Sequence, residues 1–343
     1  MSVTKRPTIR DVAAEAGVSK SLVSLVFAGE TGVSQERRDK VLAAAKKLGF
    51  TPNLWARSLS SGSANFVAMI VADLHNPLFT EIADFTRQAL LEKGINTVMA
   101  AAVISERNGK KVLEASTVNS VLDLRPRSIM LVGGLPDYKA LKSVPANVPV
   151  VMTTGIATQL PRAITVRSDD REGMRLVVKH LMGLGHKKIS YIGAYDEVVS
   201  VSRHAAYEKA MVDAGLADQI FFEQCDRTEA GGYAAAKLVL SKPDKPTAII
   251  AFNDIIAIGA QEAIDQEIEA GGIKVALTGY DNVYISALSK VSLTSIEPEK
   301  EAIAHKAAEL LADNELADAH KGQEFLLLPK LVARESTLTA RNN

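Results

Sequence analysis

Two hydrophobic textures divide the chain. Over the first fifty residues, apolar positions recur at helical spacing inside short, polar-rich segments. Ile9, Val12, Ala13 and Ala16 share one face of a helix that Thr8 caps, with Asp11 three residues on to return the bond. Gly17 supplies a tight turn. Ser19 opens a second short helix whose Leu22, Val23, Val26 and Phe27 face inward, and Ser34 opens a third through Arg37, Val41, Leu42, Ala45 and Leu48. Gly49 closes it. Two short helices joined through a glycine turn and covered by a third match the helix-turn-helix unit.

From Phe66 the pattern changes to unbroken apolar runs of strand length: FVAMIVA, INTVMAAAV, SIMLVGG and VPVVMTTG, then KKISYIGA, IFFEQC, PTAIIAF and KVALTGYD. Amphipathic stretches such as TEIADFTRQALLEKG, REGMRLVVKHLMGLG and NDIIAIGAQEAIDQ separate them. Strands apolar on both faces, alternating with helices, predict parallel sheets covered on both sides. Two such series predict two similar α/β subdomains. The last helix, PEKEAIAHKAAELLADNELADA, is expected to cross back to the first subdomain, and EFLLLPKLVARES to give two short strands closing the second. The first subdomain is then about 65–167 plus 298–320, and the second about 168–297 plus 321–343. Three crossings make a hinge on which a cleft opens and closes. Residues 1–50 form the headpiece and 51–64 a hinge and joint, a short segment whose helix is marginal in water when unpartnered.

Ligands of open α/β sheets bind beyond the carboxyl ends of the strands. There the sequence gathers Asp73, Asn76 and Phe79, Ser168–Asp170, Arg203, Asn253 and Asp254, and Asp281 and Asn282. Each has an ordinary reading as a cap or a surface charge. Five clusters at equivalent places favour a shared cleft.

Charge sharpens the picture. Residues 1–60 hold ten Lys/Arg and five Asp/Glu in a chain of net charge zero, so a basic head joins an acidic body. That asymmetry is the footprint of a nucleic-acid reader carrying a second, non-binding domain. Lys20, Ser21, Ser24 and Leu25 are expected on the outward face of the second helix, the first two in its first turn, where a recognition helix meets base edges. Few aromatics argue against a platform for single strands. The one cysteine, Cys225, excludes an internal disulfide and a thiolate metal cluster, and the six histidines show no ligand spacing. No cofactor is expected. No run approaches the ~20 apolar residues of a membrane span, and MSVTKRPTIRD lacks a cleavage signal, so a cytoplasmic protein without membrane attachment is expected. No GxxxxGK[ST] or GxGxxG motif follows a strand, and the adjacent pair Asp169-Asp170 points two ways, which disfavours an enzyme.

TIRDVAAEAGVS, VS at Val23-Ser24 and at Val33-Ser34, and GFTPNLWARSL together resemble the lactose/galactose-repressor family, without gaps from Thr8 to Leu59. In the body NPLF, SDDREG, HLMGLGHKKISYIG, SRHAAYEKAM, FNDIIAIG, TGYDN and LTSI resemble the periplasmic sugar-binding fold that this family carries, so the resemblance covers almost the whole chain. It implies an all-α helix-turn-helix headpiece with a hinge helix, joined to a two-subdomain α/β periplasmic-binding-protein-like body with parallel sheets. It implies a homodimeric repressor of a pseudopalindromic double-stranded operator, whose affinity a small sugar-like effector controls. By position it makes Leu59 the wedge between base pairs, Asn53 and Ala56 hinge contacts, and Thr8, Ile9, Arg10, Ser19 and Ser34 DNA contacts beside the outward face of the second helix. It places Asn76, Phe79, Arg203, Arg227, Asn253 and Asp281 around the effector. Release by ligand is the expected sign, because inducers outnumber corepressors among its sugar-responsive members. Three positions depart from the family: Leu25 where Arg is common, Ala28 where Asn is common, and Arg227 where an aromatic ring often follows the aspartate at 226. Leu25 makes no bidentate bond to guanine but meets a thymine methyl. Arg227 disfavours a stacked nucleobase or galactoside and points to a pentose such as ribose or a cyclitol such as inositol. The competing readings are a sugar receptor without DNA function and a sugar- or nucleoside-processing enzyme.

Overall fold

The computed structural model describes residues 7–28, 32–50, 65–195 and 198–338, and the chain divides into two compact units at residue 64/65. Asn53, Ala56 and Leu59 lie outside the described residues.

The described residues of the head form three helices: α1 (Ile9–Ala16), α2 (Lys20–Ala28) and α3 (Gln35–Leu48). The backbone N–H and the hydroxyl of Thr8 both donate to Asp11 Oδ2, each at 2.7 Å. Gly17 ends α1 at φ +64°, a left-handed turn that costs glycine nothing, and Val18 N–H donates back to the Ala13 carbonyl at 3.0 Å. Ser19 Oγ accepts from Leu22 N at 3.2 Å and so starts α2. Val12, Ala13, Val23, Val26, Val41, Ala44 and Ala45 form the core, with Ile9 and Phe27 packed at its edge. Leu42, expected inside, is 45% exposed; Ala44 fills its place.

The body holds two six-stranded sheets. The first runs Glu324–Leu327, Ile164–Ser168, Val150–Thr153, Ser128–Val132, Phe66–Val71, Asn96–Ala101, every neighbour parallel. The second runs Lys330–Val332, Thr294–Glu297, Ala276–Tyr280, Ala248–Ala251, Ile189–Gly193, Phe221–Gln224, parallel except for its antiparallel first pair. Phe66–Val71 and Ala248–Ala251 are buried throughout, as helices on both faces require.

The tail departs from expectation. Only Lys330–Val332 closes the second sheet; Glu324–Leu327 pairs instead with Ile164–Ser168 of the first. The reason is connectivity. The helix Lys300–Ala312 packs on the first subdomain, so the chain emerges beside that sheet's open edge, and an unpaired edge invites a strand. The third crossing therefore falls near residues 328–329. The last helix is also two, Lys300–Ala312 and Asn314–Ala319, because the Asp313 carboxylate caps Glu315 N and Leu316 N at 2.9 and 3.0 Å. Between Asn96–Ala101 and the helix Ala115–Asp123 lies an unexpected hairpin, Ile104–Arg107 with Lys110–Leu113.

Helices Glu229–Leu240 and Asp254–Glu269 touch backbone to backbone. A Cβ on Gly259 would lie 1.8 Å from the Glu229 carbonyl oxygen, and one on Gly232 2.1 Å from that of Ile256. Both helices begin at the cleft, so the contact fixes where their first turns stand. Gly259→Ala is expected to lower stability by about 1–3 kcal/mol through overpacking, read as a shifted urea midpoint; an unchanged midpoint would show that the helices part freely.

Candidate functional site

Thr8, Arg10, Ser19, Lys20, Ser21, Ser24 and Ser34 are exposed, and Leu25 stands 44% exposed beside them. Lys20, Ser21, Ser24 and Leu25 sit on α2 opposite Val23 and Val26, the buried pair that pins the helix to α1 and α3. Ile9 instead packs against the core, which leaves its backbone, at the start of α1, as the group available to a phosphate.

The body holds a cavity of about 1270 Å³ between its sheets. Its wall brings together Asn76, Phe79, Arg203, Arg227, Asn253 and Asp281 from segments up to two hundred residues apart. Two of these also serve as caps. Asn76 Oδ1 accepts from Leu78 N at 3.1 Å and starts the helix Pro77–Glu92; Asn253 Oδ1 accepts from Ile256 N at 3.0 Å and starts Asp254–Glu269. Each amide nitrogen remains for a ligand. Phe79 lies over Gly133, whose backbone stands at φ +91° and where a Cβ would come within 2.6 Å of the ring. Arg227 lines the wall beside Asp226 and Thr228.

Arg203 is the centre. Its side chain is almost wholly buried, between the rings of Tyr280 and Phe252, with the guanidinium carbon 3.7 and 4.6 Å from their centroids. Nε donates to Asp170 Oδ1 at 3.0 Å and Nη1 to the Phe252 carbonyl at 2.7 Å. Asp281 Oδ1 stands 3.8 Å from Nη1, an ion pair but not a hydrogen bond. Asp170 accepts from Arg167 as well, at 3.0 Å, and Arg167 reaches Glu324 at 2.7 Å. A buried cation thus lies between two buried carboxylates, one firmly bonded and one held off. Burial raises the Asp281 carboxyl well above the ordinary range, with Arg203 opposing. Burial also opposes the charge on Arg203, but Asp170, Tyr280 and Asp281 shift its pKa upward overall.

Asp254 beside the site is structural. It accepts from Val283 N at 2.9 Å and from the hydroxyls of Ser286 and Ser295, each at 2.6 Å, and burial pushes its carboxyl up to about 6. Asp169 caps the helix Asp170–Gly183 while Asp170 turns inward, so the adjacent pair does point two ways. The sequence places Asp170 among the cleft clusters but not around the effector, and Arg167, Tyr280 and Phe252 it does not single out. Arg167 belongs to VRSDD with Asp170, and Tyr280 precedes Asp281 in the same strand end, so a strand-end reading extended by one residue finds both.

The fold and cleft define a two-subdomain ligand receptor body joined to a helix-turn-helix head. The family model of bacterial regulatory proteins, lacI family, matches residues 8–53, and that of the periplasmic binding protein-like domain matches residues 178–337. A lacI-family head and a periplasmic binding protein-like body make the chain a DNA-binding transcription regulator, not an enzyme. It is 29% identical to the HTH-type transcriptional repressor PurR of Mannheimia succiniciproducens over 335 residues, 96% of this chain and 98% of that one. Its structure is similar to the lac repressor dimer bound to operator and the anti-inducer ONPF, at TM-score 0.82 and 25% identity, over 97% of this chain and 100% of that one. It is also similar to a complex of the transcriptional regulator CelR with cellobiose, at TM-score 0.65 and 25% identity, over 96% of this chain and 100% of that one. Among the described residues no helix is long and apolar enough to cross a membrane.

Proposed function

We propose that the chain is a homodimeric repressor that reads a pseudopalindromic operator and releases it when a small neutral polyol fills the body's cleft. The observation that carries this reading is the unclosed gap of 3.8 Å between Arg203 and Asp281. A ligand hydroxyl fits it chemically, accepting from the guanidinium and donating to the carboxylate, as adjacent sugar hydroxyls do. The free amide nitrogens of Asn76 and Asn253 add donors, and Phe79 offers an apolar face to a ring. The complex of CelR with cellobiose supports a sugar ligand, and the lac repressor bound to operator and the anti-inducer ONPF supports control of DNA binding by a small molecule. A pentose or cyclitol remains the favoured class, because Arg227 stands on the wall where an aromatic ring would favour a stacked ligand.

On DNA, Lys20 and Ser21 read bases, Ser24 and Leu25 flank them, and Thr8, Arg10, Ser19 and Ser34 position the head on phosphates. Asn53 and Ala56 serve as hinge contacts to DNA, and Leu59 as the wedge between base pairs. Selection from a randomised duplex library is expected to return a two-fold related site. Log affinity should then fall against log salt by about 0.9 per phosphate neutralised. Equal affinity for random duplex, or no dependence on salt, would contradict the proposal.

A further inference from the structure

Lys300 is a buried cation that the effector reading leaves unused. It is the first residue of the helix Lys300–Ala312, at the second crossing between subdomains, and its side chain is 9% exposed. Nζ lies 3.1 Å from Glu297 Oε2 and 3.2 Å from Glu81 Oε2, and it donates to the backbone carbonyls of Asp281, at 3.1 Å, and Asn282. These partners come from both sides of the cleft. Glu81 belongs to the helix Pro77–Glu92, whose start carries Asn76 and Phe79, and its other oxygen accepts from Tyr284 N at 3.2 Å.

The backbone explains why a cation is needed there. Asp281 stands at φ 102° and Asn282 at φ 43°, two consecutive residues with side chains in the left-handed region. Such geometry is strained for residues with a Cβ and persists only where surrounding contacts over-determine it. The carboxylate of Asp281, at this turn, stands 3.8 Å from Arg203 Nη1. Ser295 Oγ takes Asn282 N, Glu297 takes the Asn282 amide and Asp254 takes Val283 N, so the donors of the turn are satisfied from the second subdomain. The two carbonyls go to Lys300. An ammonium this buried is tolerable only with its charge matched, and Glu81 and Glu297 supply the match, one from each side.

We propose that Lys300 is the positioning residue of the effector site: it holds the left-handed Asp281–Asn282 turn and, through Glu81, ties that turn to the first-subdomain helix carrying Asn76 and Phe79. The inference rests on the cleft being the effector site. Opening or closing the cleft moves Glu81 relative to the turn, so the same contact that aims Asp281 registers the position of the opposite wall. Lys300 then links ligand geometry to subdomain position without touching the ligand.

The test is amide hydrogen exchange on the ligand-free full chain for wild type, Lys300→Met, Lys300→Arg, Glu81→Gln and the surface control Lys209→Met. Lys300→Met is expected to exchange about tenfold faster in residues 280–287 and in residues 76–86 across the cleft. Strand Ala248–Ala251, at the centre of the second sheet, is expected to keep wild-type protection, which a general loss of stability would not allow. Glu81→Gln should reproduce the change at the Tyr284 amide, which keeps the proposal falsifiable if Lys300→Met does not fold. Lys300→Arg should restore protection and Lys209→Met should match wild type. Unchanged exchange in 280–287 for the first two variants, or faster exchange spread evenly over both sheets, would overturn the inference. None of these readings needs a ligand. They therefore stand or fall apart from the effector reading, which fails separately if Arg203→Ala keeps the wild-type response to ligand.

Discussion

Asp281→Asn is expected to weaken effector binding by roughly 10–100-fold, the equivalent of one hydrogen bond to a charged group, while leaving the body as stable as wild type or more so. The two halves have one cause. The carboxyl is buried, its only charged partner within 4 Å among the described residues is Arg203 at 3.8 Å, and burial raises its pKa well above the ordinary range. A carboxyl whose pKa is raised on folding binds more protons folded than unfolded. Stability is then greatest below the unfolded pKa of about 4 and declines as pH climbs through the folded value. Asparagine removes that penalty and keeps the volume, but it gives a ligand hydroxyl one acceptor fewer. Asp281 should therefore add stability to the wild type on acidification from pH 7 towards 5, and Asp281→Asn should lose that contribution. Asp254, whose shift from 3.8 to about 6 corresponds to roughly 3 kcal/mol, acts in the same direction, while burial lowers the pKa of His180, His186 and His204, which lose stability on acidification; all four are retained in the variant, so the difference between the two proteins isolates Asp281. Arg203→Ala is a poorer test, since it leaves the buried Asp281 without its cation and Asp170 with Arg167 alone, and costs on the order of 3–5 kcal/mol. Urea unfolding at both pH values, with calorimetry of a ligand found by thermal-shift screening of pentoses, hexoses, cyclitols and nucleosides, checks both halves. A variant less stable at pH 7, or one that binds the ligand unchanged, would refute the assignment.

Exchanging Lys20 or Ser21 is expected to change which operator is preferred and not merely how tightly DNA is held. Both are exposed in the first turn of α2, and the helix is anchored by Val23 and Val26 on its opposite face, so substitution leaves the docking surface in place. A lost base contact costs about 1–3 kcal/mol of discrimination at one position, close to 10–100-fold. Loss of a phosphate contact such as Arg10 would weaken all sequences alike. Half-site libraries selected by wild type and by each variant measure the difference. An identical consensus from both would show that these side chains only position the head.

Much of this was legible because periodicity and burial agree. The continuous apolar runs at Phe66–Val71 and Ala248–Ala251 mark central parallel strands, and the cap and glycine signals of α1 to α3 are realised in Thr8, Gly17, Ser19 and Gly49. Other features were hidden for physical reasons. Glu324–Leu327 alternates exposed and half-buried residues, a pattern that an edge strand of either sheet would give; what chooses the sheet is the docking of the preceding helix, a tertiary fact. The hairpin did announce itself. Asn108-Gly109 takes φ 53° and 70°, the pair of left-handed residues that the Asn-Gly dipeptide favours, and the signal lay unused between two longer elements. Its consequence is local, since Ile104, Lys110 and Lys111 line the cleft. The six effector residues are legible through strand ends and motifs, and Asp170 through its strand-end cluster, whereas Lys300 is not, because it reads as the ordinary start of a helix. Only the fold reveals that Asp170 holds Arg203 and that Lys300 holds the turn after Asp281.

The central claim is that ligand in the cleft changes operator affinity. Its most direct test is the affinity of the full chain for its selected operator, at one fixed salt concentration, with and without a ligand that binds the body. Wild type is expected to lose roughly 5–150-fold in operator affinity on saturation, a coupling of ~1–3 kcal/mol, and Asp281→Asn at the same ligand concentration is expected to lose almost none. An operator affinity that stays the same with ligand bound, or a full response in Asp281→Asn, would contradict the account.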